Sequence, residues 1–331
     1  MTHSGANDDP GSFAGKLAVV TGGGSGMGRE LTRQLAAAGC SVAVCDLNPE
    51  TVAETVALAQ TGAGPGVRVT GHTCDVADET QVLRFRDELL AEHARDHVHL
   101  VFANAGAGGA GSFVTSPREQ WERTFAIDWY GVYYCARVFL PLLIAGGDGV
   151  LVNTSSVNGL WASLGPGMPN TAYCTAKFAV RGFTEALIED LRSNALGVRV
   201  ALVIPGHVGT DILVNTRRVH GLPGPEDLDD TQMADARVFL TDARLLEDGA
   251  SDEEIRQLLT RMENDFKDKA SLSASQAATI ILDGVRSGAW RILVGEDAKM
   301  IDEAVRAKPE NSYDYADLFR DQAAAAAPSA Q

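Results

Sequence analysis

The segment KLAVVTGGGSGMG, residues 16–28, decides the fold of this chain. Its first five residues form an apolar run with a basic start, which predicts a β-strand, and the glycines that follow predict a tight turn. Leu31, Leu35 and Ala38 then recur at helical spacing and predict a helix. A strand, a glycine turn and a helix in this order favour a dinucleotide site, because the first N–H groups of the helix are free to bind a pyrophosphate.

A second apolar run, residues 41–46, ends in Asp46, which lies 24 residues after Gly22. An acid about 20 residues beyond the glycine turn hydrogen-bonds the adenosine ribose in dinucleotide-binding folds. Such a carboxylate repels a 2′-phosphate, and neither Leu47 nor Asn48 supplies a positive charge to offset it. The pattern therefore favours NAD over NADP. The other interpretation of Asp46 is an acid that caps the next helix.

Tyr173 and Lys177 lie one helical turn apart in the sequence YCTAK. Residues at i and i+4 share a helix face, so we expect the ammonium to lower the pKa of the phenol towards working pH. A serine hydroxyl from the upstream pair Ser155-Ser156 can hold a substrate oxygen. The trio indicates proton transfer to and from that oxygen. The bare spacing also occurs where a lysine stem packs against a half-buried tyrosine.

With these residues in place, the chain resembles the short-chain dehydrogenase/reductase family over residues 14–210, and more loosely to about 300. The order of the motifs matches that family as well as their content. The matching motifs are the turn Thr21–Gly28, Cys74-Asp75-Val76, Asn104-Ala105-Gly106, Val152–Ser156, the pair Tyr173 and Lys177, and Pro205–Thr210.

The resemblance implies a set of site residues. In the pattern Ser-Ser-x-x-Gly the second serine acts, so Ser156 is the expected catalytic serine beside Tyr173 and Lys177, with Ser155 as the alternative. The cofactor is expected to contact Gly22, Gly24, Ser25, Gly26, Met27, Gly28, Asp46, Leu47, Asp75, Val76, Asn104, Ala105, Gly106, Tyr173, Lys177, Pro205, Gly206, Val208 and Thr210.

One position departs from the family. Its fourth catalytic residue is usually an asparagine that holds a water near the lysine, and the alignment of residues 121–127 places Asp128 there. Asp128 can accept a hydrogen bond from such a water, but its charge tends to keep Lys177 protonated. The alternative is a buried acid bonded to backbone.

Strand and helix patterns alternate along the chain, which predicts an α/β fold: a single Rossmann-type, doubly wound parallel sheet of about seven strands. Strands are expected near 16–21, 41–46, 67–72, 98–104, 149–154, 198–204 and 290–294. Helices are expected near 26–38, 50–59, 79–95, 118–145, 171–194 and 274–287. We expect a flexible arm over residues 1–12, the domain over 13–322 and a disordered tail over 323–331.

Residues 211–273 exceed the short substrate loop of minimal family members. A capping box at Ser251–Glu254 precedes an apolar helical stripe, so the insertion is expected to be helical. We interpret it as a lid over the substrate cleft. The alternatives are a peripheral helical segment without a role in the site and an element of a dimer interface. Apolar residues before Tyr173 and after the Pro-Gly turn indicate a bulky hydrophobic alcohol or ketone, such as a steroid or terpenoid: Trp161, Leu164, Met168, Ile212 and Leu213.

The 331 residues carry a formal net charge of −16, which argues against nucleic acid and anionic membranes as partners. No run is apolar and long enough to span a bilayer. The five cysteines show neither paired nor metal-binding spacing, so we expect no metal site and a reducing, cytoplasmic setting.

Family resemblance also implies a homodimer or homotetramer through the helices around 118–145 and 171–194. The alternative to a dehydrogenase is a catalytically silent dinucleotide sensor that binds partner proteins. Such a sensor has no reason to keep Ser156, Tyr173 and Lys177 together. A lyase or epimerase that uses the cofactor transiently is a third hypothesis, but no additional acid/base pair in the sequence requires it.

Overall fold

The computed structural model describes residues 12–109, 111–165, 168–247 and 249–313. The expected tail over 323–331, and the expected arm apart from Ser12, lie outside these residues. Within them, the predicted alternation of strand and helix is confirmed.

The strands of the described residues form one large parallel sheet and one short pair. They are β1 (Leu17–Thr21), β2 (Ser41–Asp46), β3 (Val69–Thr73), β4 (Leu100–Ala103), β5 (Val150–Thr154), β6 (Arg199–Pro205), β7 (Val208–Gly209), β8 (Leu272–Ser273) and β9 (Arg291–Val294). Seven of them make the central sheet, in the order β3-β2-β1-β4-β5-β6-β9. The chain winds outward from β1 to β3 and then returns to the other side of β1, so the strand order reverses between β1 and β4. Ligands of doubly wound sheets bind at this reversal, beyond the carboxyl ends of the strands.

Helices cover both faces of the sheet and continue through the insertion. They are α1 (Gly26–Ala37), α2 (Pro49–Gly62), α3 (Glu79–His93), α4 (Arg118–Phe125), α5 (Gly131–Gly146), α6 (Thr171–Asn194), α7 (Ile212–Val219), α8 (Asp230–Asp242), α9 (Asp252–Asp268), α10 (Ala274–Arg286) and α11 (Glu296–Ala307). Short 3₁₀ turns occur at Val157–Gly159, Pro225–Asp227 and Pro309–Asn311. No helix among the described residues is apolar over a stretch long enough to cross a membrane.

The sheet is buried on both faces, as parallel sheets require. Every residue of β1 is buried, and its side chains alternate between two apolar clusters. Ala18 and Val20 pack with helices α1 and α10, whereas Leu17 and Val19 pack with α3, α5 and α6. All five cysteines are buried and unpaired.

The expected helix near 118–145 is continuous but contains one wide turn. Residues Ala126–Tyr130 form a π-turn between α4 and α5. A π-turn inserts an extra residue into the helix and often lies at a functional site. Here it contains Asp128, which is fully buried.

The insertion after β6 is helical, and the capping box that was expected at Ser251 and Glu254 is present. Ile255 and its neighbours on α9 pack against Met233 and Leu240 of α8, so these two helices share a small core of their own. The two-residue strands β7 and β8 pair in parallel and close the base of the insertion.

Candidate active site

A cleft of about 1050 Å³ opens beyond the carboxyl ends of β1, β4, β5 and β6. Its wall combines the glycine turn, the ends of these strands, the start of α6 and the inner side of the insertion. Most of the residues expected from the sequence lie along this one cleft.

The glycine turn brings the backbone of β1 against that of β4. Gly22 has a φ of +65°, and a Cβ there would lie 2.6 Å from the Cα of Ala105. A Cβ on Gly28 would come within 2.8 Å of the Asn104 side-chain nitrogen. Only glycine fits these positions, and the backbone it leaves exposed forms a cradle at the start of α1. The cradle has the shape and the free N–H groups that a pyrophosphate requires.

Thr21 and Asn104 fasten the two strand ends together. The backbone N–H groups of Asn104 and Ala105 both donate to Thr21 Oγ1 at 3.1 Å, and Asn104 Nδ2 donates to the Thr21 carbonyl at 3.1 Å. The Oδ1 atom of Asn104 is buried in the cleft wall and accepts no hydrogen bond from the described residues. A buried acceptor without a donor is costly, so this oxygen fits a donor on a bound molecule.

Asp46 stands at the end of β2, where a ribose-binding acid is expected. Its Oδ2 accepts from the Gly24 N–H at 2.9 Å, and Oδ1 accepts from the Asn48 N–H at 3.3 Å. The next helix is capped by the side chain of Asn48, which accepts from Glu50 N, so Asp46 does not serve as the cap. Leu47 beside it is exposed at the cleft edge.

Asp75 and Val76 lie apart from the other predicted cofactor residues. Neither lines the cleft: Asp75 pairs with Arg123 at 2.8 Å, and Val76 packs against Ala107 and Ile127. Gly24 also lies just behind the cleft wall, where its N–H supports Asp46.

The two adjacent serines have different roles in the structure. Ser155 Oγ donates to the carbonyl of Lys177 at 2.8 Å and so ties β5 to α6. Ser156 Oγ accepts from Asn158 N at 3.1 Å and lies in the cleft wall beside Tyr173, where its hydrogen bond favours the phenolate. Of the two serines, Ser156 is therefore the one placed to hold a substrate oxygen next to the phenol.

Lys177 is buried and pairs with Asp128 at 3.0 Å. Its Nζ also donates to the Thr154 carbonyl at 3.1 Å and lies 5.3 Å from the centre of the Tyr173 ring. Burial disfavours the ammonium, but Asp128 and Tyr173 outweigh it and raise the pKa of Lys177. Burial raises the pKa of Asp128 to about 6 despite the opposing effect of Lys177. Asp128 lies beside the lysine because the π-turn directs its side chain there.

The prediction that the pKa of Tyr173 is lowered is wrong for this structure. Burial is the largest cause and raises the pKa above its usual value. Lys177 acts in the expected direction, but the Asp128 carboxylate opposes it. The sequence spacing revealed the cation and not the desolvation of the phenol, which depends on how the cleft is walled.

The segment Pro205–Thr210 forms the far wall of the cleft. His207 fixes this segment, because its N–H donates to Asp297 Oδ2 at 2.6 Å and its ring bonds the Phe266 carbonyl at 2.7 Å. Thr210 lies against the glycine turn, since a Cβ on Gly26 would be 3.1 Å from its Cγ2. The motif and the turn thus meet across the cleft.

The remaining part of the cleft is mainly apolar and contains the five residues expected from the sequence. Val214, Phe239, Phe266 and Ile301 join Trp161, Leu164, Met168, Ile212 and Leu213 there. The Oδ1 atom of Asn170 is buried in this wall and accepts no hydrogen bond from the described residues.

Sequence reasoning missed the polar residues that join helix α7 to the rest of the cleft. Asn215 Nδ2 donates to Ser25 Oγ at 3.0 Å, and Thr216 Oγ1 accepts from Gly108 N. Asp297 and Arg218 also line the cleft. No spacing rule marks these residues, because their positions depend on how the insertion and α11 pack back onto the sheet.

Comparison with known proteins gives a consistent result. Residues 16–220 match the family model described as short chain dehydrogenase. The chain is 36% identical over 295 residues to a putative oxidoreductase, SadH, of Mycobacterium tuberculosis, covering 89% of this chain and 91% of that protein. It is 33% identical over 200 residues to mouse epidermal retinol dehydrogenase 2, covering 60% of this chain and 62% of that protein.

Solved structures agree with the fold and include both cofactors. A short-chain dehydrogenase/reductase from Burkholderia phymatum in complex with NAD superposes with a TM-score of 0.71 at 28% identity, covering 90% of this chain and 95% of that one. A metagenomic short-chain oxidoreductase in complex with NADP gives a TM-score of 0.53 at 28% identity, covering 63% and 92%.

Replacing Asp128 by Asn is expected to change how stability depends on pH. The pKa of Asp128 rises from 3.8 unfolded to about 6 folded, so between these values the folded protein binds more protons than the unfolded chain. Its free energy of unfolding therefore falls as the pH rises through this window, by about 3 kcal/mol from this group. An asparagine side chain does not titrate, so the variant should gain that amount relative to the wild type between about pH 4 and pH 7.

Urea unfolding of both proteins at a series of pH values measures this difference. In the wild type, Asp128 and Tyr173 raise the pKa of Lys177 above its usual value despite its burial, so the lysine does not titrate within this window. Asp302→Asn is the control. Burial raises the pKa of Asp302, but Arg291 and Arg306 outweigh it and lower the pKa, so the effect should have the opposite sign, at lower pH. A difference for Asp128→Asn that does not vary with pH would show that Asp128 is not a raised, buried acid.

Proposed function

This chain belongs to the short-chain dehydrogenase family, and from that premise we propose that it is an NAD-dependent oxidoreductase that interconverts a secondary alcohol and a ketone. The observation that carries the proposal is the convergence of Ser156, Tyr173 and Lys177 on one cleft that also contains the glycine cradle. A protein that only sensed the dinucleotide would have no use for a phenol, a hydroxyl and an ammonium at its reactive end.

In this proposal the cofactor, when bound, supplies or accepts the hydride. The glycine turn holds its pyrophosphate, Asp46 its adenosine ribose, and Asn104 and the segment Pro205–Thr210 its nicotinamide half. Ser156 holds the substrate oxygen beside Tyr173. Tyr173 removes the hydroxyl proton in oxidation and returns it in reduction. Lys177 stabilises the phenolate, and its pairing with Asp128 keeps it charged while it does so.

NAD is the proposed cofactor because the ribose end of the cleft is acidic. Asp46 lines it, and Arg29, which also lines the cleft, already bonds the Gly24 carbonyl at 2.7 Å and Glu54 at 2.6 Å. A guanidinium held in this way is not available to a 2′-phosphate. The substrate proposed is a bulky hydrophobic alcohol or ketone, because the wall beyond Tyr173 is mainly apolar. The insertion contributes Phe239 and Phe266 to that wall, which supports its role as a lid.

Replacing Tyr173 by Phe should abolish turnover and leave NAD affinity nearly unchanged, because the variant loses only the hydroxyl that carries the proton. Steady-state kinetics with a secondary alcohol and calorimetric titration with NAD measure the two effects separately. Tyr130→Phe is the matched control, since Tyr130 is 42% exposed and lies outside the cleft. Full activity of Tyr173→Phe would refute the assignment of the phenol.

Replacing Asp46 by Asn should weaken discrimination against NADP. Asparagine keeps an acceptor for the Gly24 N–H but removes the charge that repels a 2′-phosphate. We expect the ratio of the NADP to the NAD dissociation constant to exceed about 10 in the wild type, which corresponds to about 1.4 kcal/mol, and to fall in the variant. Asp148→Asn is the control, because Asp148 is an exposed acid that pairs with Lys16. A wild type that binds NADP more tightly would overturn the choice of NAD.

Self-association through α5 and α6 is the proposed quaternary arrangement. Trp129 and Tyr133 contact Phe183 of α6 with ring centres 5.5 and 6.5 Å apart, and the apolar side chains of Ile144 and Phe178 are exposed on the same two helices. These helices carry Tyr173 and adjoin the π-turn, so a partner there would stiffen the site. Light scattering should give two or four times the chain mass, and a monomer at micromolar concentration would contradict the arrangement.

A further inference from the structure

Helix α7 runs along the length of the cleft and is fastened at several points. It begins at Ile212, two residues after Thr210, which ends the segment assigned to the nicotinamide half. Its middle is tied to the glycine turn by Asn215, which bonds Ser25 at 3.0 Å. Beyond its end, His220 hydrogen-bonds Thr124 at 3.0 Å, and the preceding residue, Arg123, pairs with Asp75. The helix therefore passes over the pyrophosphate cradle.

The basic side chains in the cleft wall differ in whether an acid pairs with them. Three Lys or Arg side chains line it, and two of them already pair with an acid: Arg29 with Glu54, and Lys177 with Asp128. The third is Arg218 of α7, whose guanidinium has no hydrogen-bond or ion-pair partner among the described residues and is the one exposed side chain of that helix. This is notable in a chain with 44 acids and 28 Lys and Arg.

Helical spacing directs Arg218 towards the cradle. It lies three residues after Asn215, so both side chains leave the same face of α7. Asn215 already reaches the glycine turn, and Arg218 follows one turn later on that face. A guanidinium presents paired N–H groups in a fork that matches two phosphate oxygens, which makes arginine well suited to a diphosphate.

We propose that Arg218 is a cofactor-binding residue that pairs with the dinucleotide pyrophosphate from the lid side, opposite the N–H groups of the glycine turn. The proposal rests on the proposed function, because it assumes that a dinucleotide occupies the cradle. Helix α7 then has two roles, because the helix that lines the substrate part of the cleft also contacts the bound cofactor.

Calorimetric titration of the full chain with NAD and with ADP-ribose tests this directly, without turnover. Arg218→Met keeps most of the stem and removes the charge, and it should raise both dissociation constants by about tenfold or more. Arg218→Lys should recover part of the loss. Arg192→Met, on an exposed surface of α6, is the matched control and should leave both constants unchanged. Adenosine, which has no phosphate, should bind the wild type and Arg218→Met equally when measured by ligand-observed NMR.

The outcomes separate this inference from the function it rests on. If the wild type binds NAD and Arg218→Met binds it equally well, Arg218 does not hold the pyrophosphate, and only this inference fails. The same holds if Arg218→Met changes the KM for the alcohol alone, or weakens adenosine as much as ADP-ribose. If the wild type binds neither NAD nor ADP-ribose, the proposed function itself fails.

Discussion

The buried ion pair between Lys177 and Asp128 is the interaction on which the site depends. Its two charges lie inside the protein, where an unpaired ion would cost several kcal/mol, so the segments that carry them must stay in register. Lys177 belongs to α6 and bonds the end of β5, and Asp128 belongs to the π-turn. Gly106, at the end of β4, packs so closely on the pair that a Cβ there would lie 2.8 Å from Asp128 Oδ1. Two strand ends and two helices therefore share one electrostatic constraint.

This constraint also determines how the phenol behaves. Tyr173 receives a favourable effect from the ammonium of Lys177 and an unfavourable one from the carboxylate of Asp128, and burial adds to the unfavourable side. The usual family residue at position 128, asparagine, has no charge. An acid at this position raises the pKa of the lysine, but its negative charge cancels part of the lysine's stabilising effect on the tyrosine phenolate. The departure from the family pattern is thus a change in how one positive charge is shared between two neighbours.

The sequence predicted the sheet, most of the helices and the meeting of Ser156, Tyr173 and Lys177 in one cleft because these depend on short-range patterns. Apolar runs bounded by turns gave the strands, and the carboxyl ends of parallel strands lie together in any doubly wound sheet. Helices α7 and α11 were not predicted. Asn215, Arg218 and Asp297 belong to these two helices and were not predicted either. Residues 90 or more apart in sequence meet only after the insertion and the last helix have packed. The raised pKa of Tyr173 was missed for the same reason, since desolvation is a property of the finished cleft.

The proposed function requires this cleft to transfer hydride between NAD and a secondary alcohol. The most direct measurement is the absorbance of reduced nicotinamide while the wild-type protein is offered NAD, or NADP, with a panel of secondary alcohols that includes steroids and terpenols. We expect an alcohol-dependent increase in this absorbance with NAD, largest for the bulky apolar alcohols. An increase with NADP alone would contradict the assignment of the cofactor. Silence with both cofactors across the panel would contradict the dehydrogenase and favour a protein that only senses the dinucleotide.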